Sequence, residues 1–172
     1  EQFRSFCFQN NATDFEEAVK YFAVFGGMGW SVDISKSLDE LIEEKVLNNY
    51  SYINGDIAKI TQSNQTHHAL LSALAVGDRR EFSAFKRAGA VREDGRASIK
   101  FLIDNGLLIR DLSQDQPVDE NEVVSDKFHF TISFLSFWFS SVSPFDKGIQ
   151  NVDYTAVKES WGHLQYAFTE LI

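Results

Sequence analysis

The chain has 172 residues, 44% of them hydrophobic and 24% charged, and a formal net charge of −9. That balance describes one folded domain, or two small ones sharing a core, and excludes a disordered chain. It also excludes a protein that coats nucleic acid with its whole surface, while the single cysteine, Cys7, excludes an internal disulfide framework and points to a reducing, cytoplasmic setting.

The sequence opens at Glu1 with no start methionine and no signal or transit pattern, and reads as a piece of a longer protein. "DFEEAVKYFAVFGG" predicts a helix capped by Asp14, with Phe15, Val19, Phe22 and Ala23 at helical spacing and glycines at its end. "SLDELIEEKVLNN" predicts a second, with Leu38, Leu41, Ile42 and Val46 on one face and Ser37 and Glu40 spaced as a capping box. In "YSYINGDIAKITQS" the Asn54-Gly55 pair marks a turn.

Three helices follow. "NQTHHALLSALAVGD" turns Leu70, Leu71, Leu74 and Ala75 inward and ends at Gly77. "REFSAFKRAGA" turns Phe82 and Phe85 inward and ends at Gly89. "VREDGRASIKFLIDNGLL" is the longest, with Ile99, Leu102 and Ile103 inside and Gly106 as its stop. "LLIRDL" and "KFHFT" read as strands, Phe128 and Phe130 facing one way and Lys127 and His129 the other. Between them lies a polar loop with Pro117 and the acids Asp115, Asp119, Glu120, Glu122 and Asp126. Helix, helix, long helix, strand, loop, strand is the order of a winged helix. The expected fold is therefore α+β, mostly α, with a central winged helix-turn-helix flanked by helices.

Charge is distributed unevenly. From Arg79 to Lys100 there are seven basic residues (Arg79, Arg80, Lys86, Arg87, Arg92, Arg96 and Lys100) against Glu81, Glu93 and Asp94. Arg92, Arg96 and Lys100 are four apart, so they share one face of the long helix, opposite its apolar residues. A recognition helix lays such a face in the major groove while other cations grip phosphates. All seven are candidate contacts to duplex DNA, with weak binding expected. A solvated helix face, in a module that binds only protein, is the other reading.

"FHFTISFLSFWFSSVSPFDKGI" carries seven Phe or Trp rings between residues 128 and 149. Its serines and Pro144 interrupt it too often for a membrane span, which needs roughly 20 mostly apolar residues. A helix over about 132–143 would make Phe134, Phe137, Trp138, Phe139 and Phe145 core or partner surface. "DYTAVKESWGHLQYAFTELI" closes the chain, with Val157, Trp161, Leu164 and Phe168 on one stripe. No catalytic, metal or cofactor set stands out. "GGMG" lacks the Lys-Ser/Thr of a phosphate loop, and the adjacent His67 and His68 point different ways on a helix. The sequons at Asn11, Asn49 and Asn64 lack a secretion signal.

Taken together, "KYFAVFGGMGW", "SLDELIEEKVLNN", "FLIDNGLLIRDLS" and "FHFTISFLSFWFSSVSPFDKGI" resemble the archaeal-type ATPase family, most specifically in "AVFGGMGW" and "FLSFWFSSVSPF". Members typically join an AAA-type P-loop ATPase, a lid with a GG-hydrophobic turn, a winged helix, a "FLRFW"-like element and a domain related to restriction endonucleases. The resemblance implies a lid-like region over 1–62, a winged helix over 63–131, and the aromatic helix with the start of a C-terminal domain over 132–172. It implies that this chain is not itself an enzyme. ATP and Mg²⁺ would belong to the absent ATPase domain, and the partners would be other domains or subunits, or DNA. The chain departs from the family in having no Walker sequences and Ser136 where relatives tend to carry Arg. A nuclease-like site is not visible, and Glu170 stands one residue out of register for it.

Overall fold

The computed structural model describes residues 1–112 and 126–169, with side chains to residue 165. The protein is mostly helical with one two-stranded sheet, and it divides into two compact units. One comprises Glu1–Ile57 with Ile132–Ile172, so the first and last segments of the chain pack into a single body; the other is Ala58–Thr131.

In the discontinuous unit, α1 (Gln2–Gln9) leads to α2 (Phe15–Phe25). The Asp14 side chain accepts from the backbone of Glu16 and Glu17 at 3.0 and 3.1 Å, satisfying two amides that have no partner within the helix. Phe22 and Ala23 are buried, but Phe15, in the first turn, is exposed. Next comes α3 (Leu38–Leu41), opened by the Ser37–Glu40 capping box; a π turn (Ile42–Val46) and a 3₁₀ turn (Leu47–Asn49) carry it into α4 (Tyr50–Ile60). Asn54-Gly55 is thus not a turn. Both residues lie on the exposed side of α4 while Tyr50, Ile53 and Ile57 are buried, and that burial outweighs the local turn preference.

The aromatic stretch forms α8 (Ser133–Phe137), a π turn (Trp138–Val142), a 3₁₀ turn (Ser143–Phe145) and α9 (Asp146–Gln150). Rings surround it. Trp30 meets Phe134 edge-on at 5.1 Å, Tyr50 stacks on Trp138 at 5.3 Å, and Trp161 of α10 (Thr155–Thr169) meets Phe137 at 5.3 Å. A helix apolar on every side belongs in a core, and this one is there. The "GGMG" turn serves the same packing. The Phe134 amide donates to the Gly26 carbonyl at 3.2 Å, and a Cβ on Gly27 (φ +84°) would lie 2.9 Å from Ile132. On α10, Val157 and Trp161 are buried; the side chain of Phe168 and residue Glu170 lie outside the described part.

The continuous unit holds α5 (Gln65–Val76), α6 (Glu81–Ala88), α7 (Arg92–Asp104), β1 (Leu108–Asp111) and β2 (Lys127–Phe130). The strands are antiparallel, with Leu108 opposite Phe130 and Arg110 opposite Phe128, and Arg80 adds a bridge to Lys127. The acidic loop with Asp115, Pro117, Asp119, Glu120 and Glu122 lies outside the described residues. Leu70, Leu71, Leu74, Ile99 and Leu102 form the core, and Ile103 is half-buried. Of the three short connections, α6–α7 and α7–β1 use a left-handed glycine, Gly89 and Gly106. At Gly106 the Leu107 amide reaches back to Leu102 and the Gly106 amide to Ile103, closing the end of α7 as a Schellman motif.

Candidate functional site

The basic residues are held by a scaffold that fixes the roll of α7. Ser98 is buried, and its hydroxyl hydrogen-bonds His67 Nδ1 of α5 at 2.5 Å; the same imidazole stacks on Phe101 at 4.4 Å. From the other side, Gly95 lets Phe85 of α6 approach closely, since a Cβ there would lie 2.7 Å from the ring. With Gly95, Ser98, Ile99 and Leu102 turned inward, Arg92, Arg96 and Lys100 are exposed alongside them.

These cations are not equally available. Arg96 Nε donates to Glu81 at 3.1 Å, linking α7 to α6, and Lys100 pairs with Asp104 at 2.5 Å one turn along its own helix. Lys86, Arg87 and Arg92 are exposed and pair with no carboxylate among the described residues. Arg79 and Arg80 are half-buried and have a different place. The Arg79 backbone is left-handed (φ +65°), its carbonyl accepts from the Phe128 amide at 2.9 Å, and its Nη1 donates to His129 Nδ1 at 3.2 Å. His129 Nε2 lies 3.3 Å from Asp111 on the facing strand. Arg79 therefore helps to hold the sheet, and of the seven basic residues it is the one most engaged inside the fold.

At the start of α6, Asp78 accepts from the Arg80 amide at 3.0 Å and from the Ser83 hydroxyl at 2.7 Å. Burial would raise its carboxyl pKa, but these hydrogen bonds and the Arg80 charge outweigh that and hold it below the ordinary value. Burial lowers the pKa of His67 and His68, with each other's proximity adding to the effect on His67. His68 Nε2 is 2.6 Å from the Thr61 hydroxyl, so each histidine has its own structural partner. Among the described residues no cluster of His, Cys, Asp and Glu could hold a metal ion, and no helix is long and apolar enough to cross a membrane.

One aromatic expectation is narrowed, to the core, and one is corrected. Phe134, Phe137, Trp138 and Phe139 have no exposed surface and cannot present a face to a partner; only Phe145, in the 3₁₀ turn, is half-buried. The π turn widens the helix and sends consecutive rings into the interior on different sides. Phe82, expected inside, is 75% exposed, whereas Phe85 is 7% exposed. The contribution of Gly95 had a signal, a glycine within a helical pattern, whereas the His67–Ser98 bond spans 31 residues and had none.

No family model matches the chain, no curated protein matches it, and no solved structure matches it.

Proposed function

We propose that residues 63–131 form a winged helix, and that the chain is the recognition part of a larger ATPase of the archaeal type which binds duplex DNA weakly. The winged-helix reading is supported by the order of elements and by the Arg80–Lys127 bridge, which adds a third line to the two-stranded ladder. The relation to that family is supported by the contact between its two most specific segments, which meet at Gly26 and Phe134. In this reading the chain binds and does not catalyse; ATP turnover belongs to a separate domain.

One observation carries the DNA reading: Arg92, Arg96 and Lys100 line the exposed side of a helix whose other side is locked into the core. The ion pairs to Glu81 and Asp104 weaken it only modestly, because exposed pairs contribute about 0–1 kcal/mol and can give way to phosphate. Three to six phosphate contacts imply a log–log salt slope of roughly −3 to −5 and affinity in the micromolar range. The test is a salt titration of duplex binding. Arg96→Ala should weaken binding and flatten the slope by about one.

Those same two pairs favour a second reading, in which the face is internally neutralised and the module binds only protein. Absence of salt-sensitive duplex binding at low ionic strength would decide for it.

A further inference from the structure

We propose that the outer face of α6 binds single-stranded nucleic acid, with the Phe82 ring as the platform on which an unpaired base stacks. The inference rests on the nucleic-acid reading above and adds a second class of polymer to it.

Phe82 is 75% exposed, while Phe85 and Phe128 of the same unit are buried and Phe101 and Phe130 half-buried. One turn along α6, on the same side, stands Lys86; Arg87, the next residue, projects further round the helix. Both are exposed and pair with no carboxylate among the described residues. The remaining polar group of that face, Ser83, is already bound to Asp78. The helix thus presents a bare ring with one uncommitted cation, Lys86, a turn away, and a second, Arg87, further round the helix.

The chemistry selects the occupant. A phenyl ring has no donor or acceptor, so it cannot hold a phosphate, and in a groove it offers only apolar contact to a thymine methyl. A duplex keeps its base faces stacked inside and must be unstacked, at a cost, before the ring can cover one, whereas an unpaired base offers a π-face of any sequence. Lys86 and Arg87 would take the flanking phosphates. A protein partner would require apolar neighbours around the ring to complete a dry patch; along α6 the exposed neighbours are charged.

Binding of fluorescein-labelled oligo(dT) and of a 20-base-pair duplex is measured at low salt for wild type, Phe82→Ala, Phe82→Trp and Arg96→Ala. Phe82→Ala should lose oligo(dT) affinity by about 5- to 150-fold, as expected for removing one stacking ring, and keep duplex affinity within about twofold. Phe82→Trp should retain oligo(dT) binding. The natural tryptophans, Trp30, Trp138 and Trp161, all lie in the other unit, so any added quenching on binding reports the new indole. Arg96→Ala should do the reverse, lowering duplex affinity more than oligo(dT) affinity. Duplex binding without oligo(dT) binding, or an equal loss of both in Phe82→Ala, overturns the stacking surface and leaves the duplex reading standing. Binding of oligo(dT) alone supports the stacking surface and removes the duplex reading. Binding of neither removes both.

Discussion

The two units differ in how many aromatic residues they carry and in their charge balance. Residues 1–57 and 132–172 hold every Trp and Tyr of the chain and carry fourteen acids against six bases. Their rings interlock inside, around Phe134, Phe137 and Trp138, and their surface is left acidic. Residues 58–131 carry eleven acids against ten bases and are built on Leu and Ile, with one histidine–serine bond across the core. Here Phe82 is left outside, as Phe8, Phe15 and Tyr52 are in the first unit. Buried rings are therefore the main cohesion of the first body, and Leu and Ile that of the second.

That contrast can be broken most forcefully from the inside. Trp138→Ala should cost about 3–5 kcal/mol, because a fully buried indole leaves a cavity that its neighbours only partly fill. Urea unfolding followed by tryptophan fluorescence checks this, since Trp30 and Trp161 remain and report only their own unit. Phe82→Ala, by the same substitution of ring by methyl, should stay within about 0.5 kcal/mol of wild type.

A smaller effect tests how α7 is seated. Gly95→Ala puts a Cβ against the Phe85 ring, and although alanine favours a helix by about 1 kcal/mol, the net destabilisation should be about 1–2 kcal/mol. Far-UV circular dichroism during urea unfolding should show it while the tryptophan signal stays unchanged, because the unit concerned has no Trp.

Protonation should separate the units next. Burial holds the imidazoles of His67 and His68 below their ordinary pKa, so both are neutral in the fold and accept a proton more readily when unfolded. Stability that is whole above about pH 6.5, the unfolded value, is lost as pH falls toward the depressed folded values. Thermal melts by circular dichroism at pH 7.5 and pH 5.5 should show the continuous unit weakening in acid, and His67→Gln should make that decline shallower. A decline just as steep in the variant would mean that His67 is not its source.

Smallest of all should be Ser136→Ala. Its hydroxyl is buried without a hydrogen-bond partner, as is the Trp138 indole nitrogen, so removing it costs no bond and relieves a desolvated oxygen. Stability should be unchanged within about 0.5 kcal/mol or slightly raised. A loss above about 1 kcal/mol in the urea titration would mean that the hydroxyl has a partner after all.

What the sequence made legible was local. Asp14, the Ser37–Glu40 box, Gly89 and Gly106 act within one turn of themselves, and each does in the structure what its spacing predicts. The inward faces of α5 and α7 follow from long repeated patterns. In the short helix α6 the pattern is too brief to choose between Phe82 and Phe85, which are three apart and equally compatible with one face; the buried place against Gly95 takes only Phe85. Asn54-Gly55 misleads because its turn preference is small beside the burial of Ile53 and Ile57 on either side. For the candidate site, the exposure of Arg92, Arg96 and Lys100 was legible from their period of four. Their ion pairs were not equally so: Asp104 is one turn from Lys100, but Glu81 reaches Arg96 only because α6 and α7 pack.

The discontinuity of the first unit also sets an order in time. Its core closes where the Gly26 carbonyl meets the Phe134 amide, a contact between residues more than a hundred positions apart, whereas the second unit is one unbroken stretch between those positions. Non-local closure is slow because chain entropy is lost before any burial offsets it. During synthesis, α2 and the "GGMG" turn emerge early with their apolar faces uncovered, and they stay so until α8 leaves the ribosome. The continuous unit has all its own residues by then and can fold first, so that the contact joining the two segments of the discontinuous unit forms after it.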